Sequence, residues 1–348
     1  MATPRVSLVV VTYESRDESR RVIRAIAEQL RDGDELIVVD NASTDGTADA
    51  VAGAIAQADV VRSAENQGFA AAANAGAARA TGDLLVFLNQ DAMPSRGFRE
   101  AIAAPLSESR DWAAWMGLVT AEGGRVVNTS GGVIHFTGIA WAGEAGLSVS
   151  AIVEEPHEVA FASGACLAVP RAVWDETGGF APDFFMYCED VDLSLRLRLA
   201  GQRVGIEPGA RVDHAYEFAK GELKWRLLER NRWATLIRTY PAALLAAVAP
   251  ALAVTEFVVL AAAVRSGWGR QKLLAWADLL RALPRLTRER RATQSTRAVR
   301  SAELAGSLTA DLSSSYLGAP ARSPAVAALL RGYWRVALGL LELGGRGS

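Results

Sequence analysis

The sequence predicts an α/β fold with a mostly parallel central sheet, followed by a helical region that seeks a membrane surface. Three observations carry this. Short β-branched runs alternate with amphipathic stretches through the first hundred residues, the pattern of strands buried on both faces and linked by helices. Carboxylates and amides cluster where those runs end, and ligands bind there in open parallel sheets. After Lys220 the chain turns helical, then apolar, then strongly basic.

The elements follow in order. Val6–Thr12 is a continuous β-branched run, hence a buried strand, and Arg16–Leu30 spaces Val22, Ile23, Ile26 and Leu30 for one helix face. Glu35–Asp40 is a second strand. Asn41–Asp45 is turn and cap chemistry, with a helix from Thr47. Asp59–Arg62, the alanine-rich Gly68–Ala80 and Asp83–Leu88 read as strand, helix and strand. From Trp112 to Ser150 glycines break the periodicity, which predicts short strands and loops shaping a pocket. Glu158–Pro170 predicts a strand, Glu189–Ala200 a helix ended by Gly201, and Arg203–Ile206 a short strand. Glu222–Tyr240 predicts a helix, and the tail from Ser301 two more. The division expected is a 1–220 domain, halved near 110, and a 221–348 helical region.

Composition bounds the function. The 348 residues suggest about two domains. Lys and Arg total 37 against 39 for Asp and Glu, a net charge of −2, so nucleic acid is not expected as a partner. Residues 265–300 nonetheless hold ten basic and two acidic side chains, which points to an anionic surface. Two cysteines cannot build a disulfide framework, and a reducing compartment is expected. The start of the chain lacks the pattern of a signal peptide, so a cytoplasmic location is expected. Neither GxGxxG nor GxxxxGK[ST] follows the first strand, so a bound nucleotide would be held by carboxylates and a metal.

Three polar clusters sit at predicted strand ends: Thr12-Tyr13-Glu14, Asp40-Asn41 and Asn89-Gln90-Asp91. Each alone is ordinary loop chemistry; three at one sheet edge point to a site. With Val9–Tyr13, Val38–Thr47, Asn66-Gln67-Gly68-Phe69 through Asn74-Ala75-Gly76, and Phe87–Asp91, they resemble the ordered signature of glycosyltransferase family 2. Gly178-Gly179-Phe180, Phe184 through Leu193, Arg196, Gly201 and His214 continue that signature, so the resemblance covers about residues 5–235. The nearest pattern is that of bacterial rhamnosyltransferase-like enzymes building surface glycans.

The resemblance implies a GT-A fold, a nucleoside-diphosphate sugar donor and inversion at the anomeric carbon. It implies donor contacts from Thr12, Tyr13, Glu14, Asp40, Asn41, Asn66, Gly68, Phe69, Asn74, Asn89, Gln90 and Asp91. It implies a divalent cation, Mg²⁺ or Mn²⁺, on Asp91 with His214 completing its shell. Asn89 departs from the family by replacing the first acid of the metal motif. Asp190 matches the general base, with Glu189 and Asp192 competing for the role and helix capping the plainer reading of all three. Ser163 and Gly164 resemble the acceptor-side strand, and His135 and Trp141 are candidates for sugar or acceptor contact. Arg226, Arg230, Asn231 and Arg232 face two equal readings, phosphate contact or helix surface.

Pro241–Val264 carries one charge, Glu256, in 24 residues, ten of them alanine. It is long enough to cross a bilayer, though Pro241, Pro250 and Glu256 make insertion marginal, and a buried helix pair is the soluble alternative. With the Trp, Leu and Arg residues that follow, residues 241–300 are expected to attach to an anionic membrane surface on the cytoplasmic side. The expected acceptor is a lipid-linked or cell-surface glycan, with dTDP-rhamnose the first guess for the donor and UDP- and GDP-sugars open. The QxxRW motif of processive synthases is missing, which favours single-sugar addition. A sugar nucleotidyltransferase and a degenerate glycan-binding or scaffold subunit are the alternatives, the latter favoured by Asn89.

Overall fold

The computed structural model describes residues 4–214, 221–313 and 323–344. Residues 6–213 build a ten-stranded sheet. Its parallel core is β1 (Val6–Thr12), β2 (Glu35–Asp40), β3 (Ala58–Arg62) and β4 (Leu84–Asn89), connected by α1 (Arg16–Ala27), α2 (Thr47–Ala54) and α3 (Gly68–Ala77). These strands lie in the order β3-β2-β1-β4, so the winding reverses between β1 and β4. Polar side chains after these two strands therefore flank the crevice where such sheets take ligands. Val6–Val10 and Leu84–Leu88 are buried throughout, and each fully buried Val or Leu contributes about 1.5–3 kcal/mol.

Beyond β4 the chain runs through β5 (Met93–Pro94), α4 (Phe98–Ser107), β6 (Ala114–Ala121), β7 (Val126–Thr129), β8 (Gly132–Ile134), β9 (Ala140–Ala142), β10 (His157–Glu158) and β11 (Cys166–Pro170). After α5 (Arg171–Thr177) and α6 (Glu189–Leu199), β12 (Val204–Asp213) completes the set. β11 is antiparallel to β4, with Cys166 opposite Leu88, so the loop entering β11 lies at the carboxyl end of β4. β12 runs parallel to β6 and its end pairs with β5, Asp213 opposite Met93. This draws the residues after β4 and β12 together.

Two expected strands differ. Only Cys166–Pro170 of Glu158–Pro170 is ladder, after a two-residue strand, because residues 159–165 turn across the sheet edge. Arg203–Ile206 continues to Asp213 past an irregularity between Glu207 and Arg211.

A buried ion pair locks the opposite end of the sheet. Arg99 donates twice to Asp34, both at 2.7 Å, and Asp34 also accepts the Val6 and Arg31 N–H groups. Burial alone would raise the Asp34 pKa; the Arg99 and main-chain hydrogen bonds outweigh it and hold the carboxyl below its ordinary range.

The chain divides into two compact units. One holds residues 1–132, 142–194 and 203–216; the other holds 133–141, 195–202 and 217–348. The expected boundary at 220 lies outside the described residues. The second unit contains α7 (Leu223–Thr239), α8 (Ala242–Arg265), α9 (Gly269–Ser295), α10 (Ser301–Ala305) and α11 (Pro324–Gly344). A charge quartet ties the first three of these helices: Lys272 bonds Glu229 and Glu256, and Arg232 bonds the same two carboxylates. Trp276 donates its indole N–H to Glu256 at 2.8 Å. The one acid of the apolar helix is thus neutralised inside the unit. The rest of α8 is mostly exposed, with Phe257 at 75%, and it is long and apolar enough to cross a bilayer.

Candidate active site

The carboxyl edge of β1, β2 and β4 is cross-braced by its own polar side chains. Thr12 donates to Asp40 Oδ1 at 3.2 Å and the Ser43 N–H to Asp40 Oδ2 at 3.1 Å, fixing a carboxylate that is 3% exposed. Tyr13 and Gln90 exchange two bonds: the Tyr13 N–H donates to Gln90 at 2.7 Å and the Gln90 amide donates to the Tyr13 carbonyl. Glu14 accepts from the N–H and hydroxyl of Thr44, both at 2.9 Å. Asn41 donates to Asn66, whose oxygen also takes the Gly68 N–H. Glu14 and Ala42 adopt left-handed backbone, φ 46° and 65°, which for non-glycine residues concentrates at built sites.

Across the switch point, Asp91 Oδ1 lies 2.9 Å from His214 Nε2. The histidine is held by its main chain: its N–H donates to the Thr120 carbonyl at 2.8 Å and its carbonyl accepts from Asn128 at 3.0 Å. Next to it, Asp213 accepts from the N–H groups of Gly123 and Gly124 and pins the loop after β6. One carboxylate oxygen and one imidazole nitrogen, side by side, suit a divalent cation that takes its other ligands from phosphate oxygens and water. Among the described residues no three His, Cys, Asp or Glu groups stand together as a complete metal cage.

The third part is the start of α6. The Gly164 N–H donates to Asp190 Oδ2 at 2.9 Å and the Val191 N–H to Oδ1 at 2.8 Å. Ala165, next to Gly164, accepts the Asn89 N–H at 3.2 Å. Two main-chain links therefore join Asp190 to the strand end that carries Asp91. Burial raises the Asp190 pKa above its ordinary value, against the pull of the Gly164 and Val191 N–H bonds. Burial also pushes Glu189 well up, and the charge of Asp190 beside it adds to the shift.

Strained backbone aims this acid pair. Phe185, Tyr187 and Cys188 all have φ between 64° and 71°. The Phe185 carbonyl accepts the Ala70 N–H at 3.1 Å. Gly68, at φ 81°, passes so close to Phe185 that any Cβ would collide with its carbonyl and ring. Asn74 grips Phe180 in both directions, its amide donating at 2.9 Å and its oxygen accepting at 3.0 Å. Behind them Phe87, Trp174 and Phe180 pack with ring centroids 4.6–5.5 Å apart, and Phe69 joins at 5.8 Å.

The structure brings together most residues singled out in the sequence. Ser163 and Gly164 sit in the loop that holds Asp190, and Trp141 is half-buried in β9. His135 lies in the interior: it is 2% exposed, a ring nitrogen sits 2.7 Å from the Thr137 hydroxyl, and its ring is tilted at 32° against Phe136. Burial drops its pKa to about 4, so it is neutral. The helix-surface arginines resolve toward structure: Arg226 pairs with Asp278, and Arg232 is buried in the quartet while also donating to the Thr137 carbonyl. Sequence reading missed the φ-strained Phe185, Tyr187 and Cys188 and the role of Ser43, Thr44 and Thr120 as braces; the run of acids and aromatics around them was the available signal.

Comparison with known proteins fits this geometry. Residues 7–177 match the model described as glycosyl transferase family 2, and residues 113–288 that of glycosyl transferase family group 2. The chain is 26% identical over 234 residues to N-acetylglucosaminyl-diphospho-decaprenol L-rhamnosyltransferase of Mycobacterium tuberculosis, spanning 61% of this chain and 76% of that one. It is 35% identical over 75 residues to rhamnosyltransferase WbbL of Escherichia coli, 22% of this chain and 27% of that one. The fold resembles the crystal structure of GalNAc-T7 with UDP, GalNAc and Mn²⁺, with a TM-score of 0.55 and 16% identity, covering 70% of this chain and 50% of that one. The chain belongs to glycosyltransferase family 2: it is a glycosyltransferase with a GT-A fold and rhamnosyltransferase-like relatives.

Proposed function

We propose that this enzyme transfers one sugar, with inversion, from a nucleoside-diphosphate donor to a hydroxyl of a lipid-linked glycan, dTDP-rhamnose being the first donor to test. The observation that carries the reading is the single sheet edge shared by Asp190 and the Asp91–His214 pair, joined through the Asn89–Ala165 bond. The acceptor oxygen bonds to the anomeric carbon as the bond to the diphosphate breaks. The hydroxyl proton passes to Asp190, and the diphosphate leaves with the bonding electron pair. Two main-chain N–H groups fix the Asp190 carboxylate for that task, and its raised pKa makes it a better base than an ordinary carboxylate. Asp91 and His214 would hold a Mg²⁺ or Mn²⁺ ion, which when bound supplies positive charge against the departing diphosphate. The braced edge of Thr12, Tyr13, Glu14, Asp40, Asn41, Asn66 and Gly68 would receive the nucleoside, with Gly68 letting the Phe185 main chain and ring close against that edge.

The lipid-linked acceptor rests on two supports. The Mycobacterium tuberculosis relative is named for an acceptor on diphospho-decaprenol. The exposed apolar α8 and the basic α9 suit the cytoplasmic face of a membrane. A thermal-shift screen of dTDP-, UDP- and GDP-sugars with and without Mg²⁺ or Mn²⁺ tests the donor, followed by nucleoside-diphosphate release on acceptor addition. Stabilisation by one sugar nucleotide and acceptor-dependent release is the expected result. No response to any sugar nucleotide would reject catalysis and favour a scaffold role.

A further inference from the structure

We propose that the helical unit carries a phosphate site at the start of α8, which takes the phosphate group of a lipid whose hydrocarbon chain lies along that helix. The proposal rests on the membrane-facing part of the reading above and locates where that contact is made. An open cavity of about 440 Å³ is lined by Ala242, Thr287, Arg290, Arg291, Gln294 and Arg297. Three arginines line it and no acid does. The neighbouring carboxylate, Glu289, is engaged with Arg238 at 2.5 Å and Arg285 at 3.6 Å. Among the described residues neither Arg291 nor Arg297 pairs with a carboxylate.

The end of α7 fixes two of the lining side chains. Arg290 donates to the carbonyls of Ile237 and Tyr240, the latter at 2.7 Å, through one of its terminal nitrogens. Gln294 donates to the carbonyls of Arg238 and Thr239 at 3.0 and 3.1 Å. These bonds satisfy the helix terminus and leave the rest of the Arg290 fork for a ligand. Its burial is opposed by no acid and lowers its pKa, yet a guanidinium stays charged. A phosphate would supply the missing counter-charge through paired N–H bonds.

The adjoining surface says what the phosphate is attached to. Ala242 lines the cavity and opens α8, and Ala246, Pro250, Val254 and Val258 follow at four-residue spacing, all exposed. Each four-residue step advances about 40° around the helix, so they form an apolar strip that winds slowly away from the arginines along a helix about 36 Å long. A soluble phosphate has no use for such a strip. A phosphate on a long hydrocarbon matches both parts.

The test uses the full chain and two kinds of phosphatidylcholine vesicle at matched surface charge, one doped with phosphatidic acid and the other with oleate. Wild type is expected to favour phosphatidic acid by about tenfold, the scale of one charge-assisted phosphate contact. Arg291→Gln with Arg297→Gln, both exposed side chains, should erase that preference. Arg265→Gln with Arg270→Gln, at the far end of α8, should weaken binding to both vesicles and keep the preference. Equal binding of wild type to the two vesicles, or a preference that survives in the cavity variant, overturns the site. Inorganic pyrophosphate separates the sources: tight binding of pyrophosphate without vesicles, lost in the cavity variant, would overturn a lipid as occupant. Failure of wild type to bind either vesicle would overturn the membrane reading and this site together, while the sugar-nucleotide screen stands apart from both.

Discussion

Replacing Asp190 by Asn removes the proposed base with almost no change of shape. In the wild type both carboxylate oxygens accept a main-chain N–H, from Gly164 at 2.9 Å and Val191 at 2.8 Å. An amide accepts through one oxygen only, so one of these bonds is lost at a net cost of about 1–1.5 kcal/mol to the loop. The chemical loss is larger. A positioned general base contributes about 10²–10⁴-fold in rate, or about 3–5 kcal/mol in the barrier. Donor affinity should hold, because the proposed diphosphate end of the site is built from Asp91 and His214 on other elements. The assay is nucleoside-diphosphate release at saturating donor and acceptor, with donor binding followed separately by calorimetry. The wild-type pH profile adds a second readout. The base must be ionised, and burial raises its pKa, so activity should fall with acidification at a pH above the ordinary aspartate value. Glu189→Gln is the discriminating companion: it should lose far less activity, because burial and the neighbouring charge of Asp190 push Glu189 toward its protonated form, which Gln imitates. Turnover of Asp190→Asn within threefold of wild type, or the larger loss in Glu189→Gln, would refute the assignment.

Other expectations test the fold and the site together. Arg99→Ala should cost about 3–5 kcal/mol in urea unfolding, because it leaves Asp34 buried without its partner. The Asp34 pKa is held below its ordinary 3.8, so the stability it confers is complete above that value and is lost as pH falls through the lower, folded-state pKa; unfolding free energies measured across acid pH check this. Gly68→Ala forces a Cβ into left-handed backbone, at about 1–2 kcal/mol, and against Phe185; a lower melting temperature and weaker sugar-nucleotide binding should appear together. Asp91→Ala should abolish any Mn²⁺ dependence of donor binding by calorimetry while leaving the melting temperature of the free protein within a few degrees.

The parallel core was legible because its signals are local and repetitive. Val6–Thr12 and Asp83–Leu88 can only be strands covered on both faces, and the polar residues ending them had to share one edge. The loop around Ser163 was misread for an equally physical reason. Its apolar residues satisfy the same periodicity as the strand that follows, and only the antiparallel return of β11 against β4 shows that residues 159–165 turn across the edge. His135 shows another limit. A histidine among glycines and aromatics looks like sugar-binding chemistry, yet Phe136 stacks on Trp334, some two hundred residues distant in sequence, and takes the neighbouring ring into the core with it. The arginines of α9 read as a general basic face, and which of them lack a counter-charge depended on where α7 ends.

The amide at Asn89 is the strongest sequence argument for a degenerate transferase, and the geometry answers it position by position. At Asn89 the main chain makes the contacts that hold the edge: its N–H reaches Ala165 and its carbonyl accepts from Ala92. Gln90 spends its amide on the Tyr13 main chain, which keeps β1 and β4 in step beyond their last ladder bond. Only the third position points its carboxylate at His214, and there the acid is kept. A scaffold with no chemistry to perform would also have little reason to hold Phe185, Tyr187 and Cys188 in left-handed backbone immediately before Glu189 and Asp190. That strain costs about 1–3 kcal/mol for each residue and relaxes readily by mutation. Its presence beside an intact Asp190 fits the proposed proton acceptor, and on that reading the asparagine changes how the proposed metal side is completed.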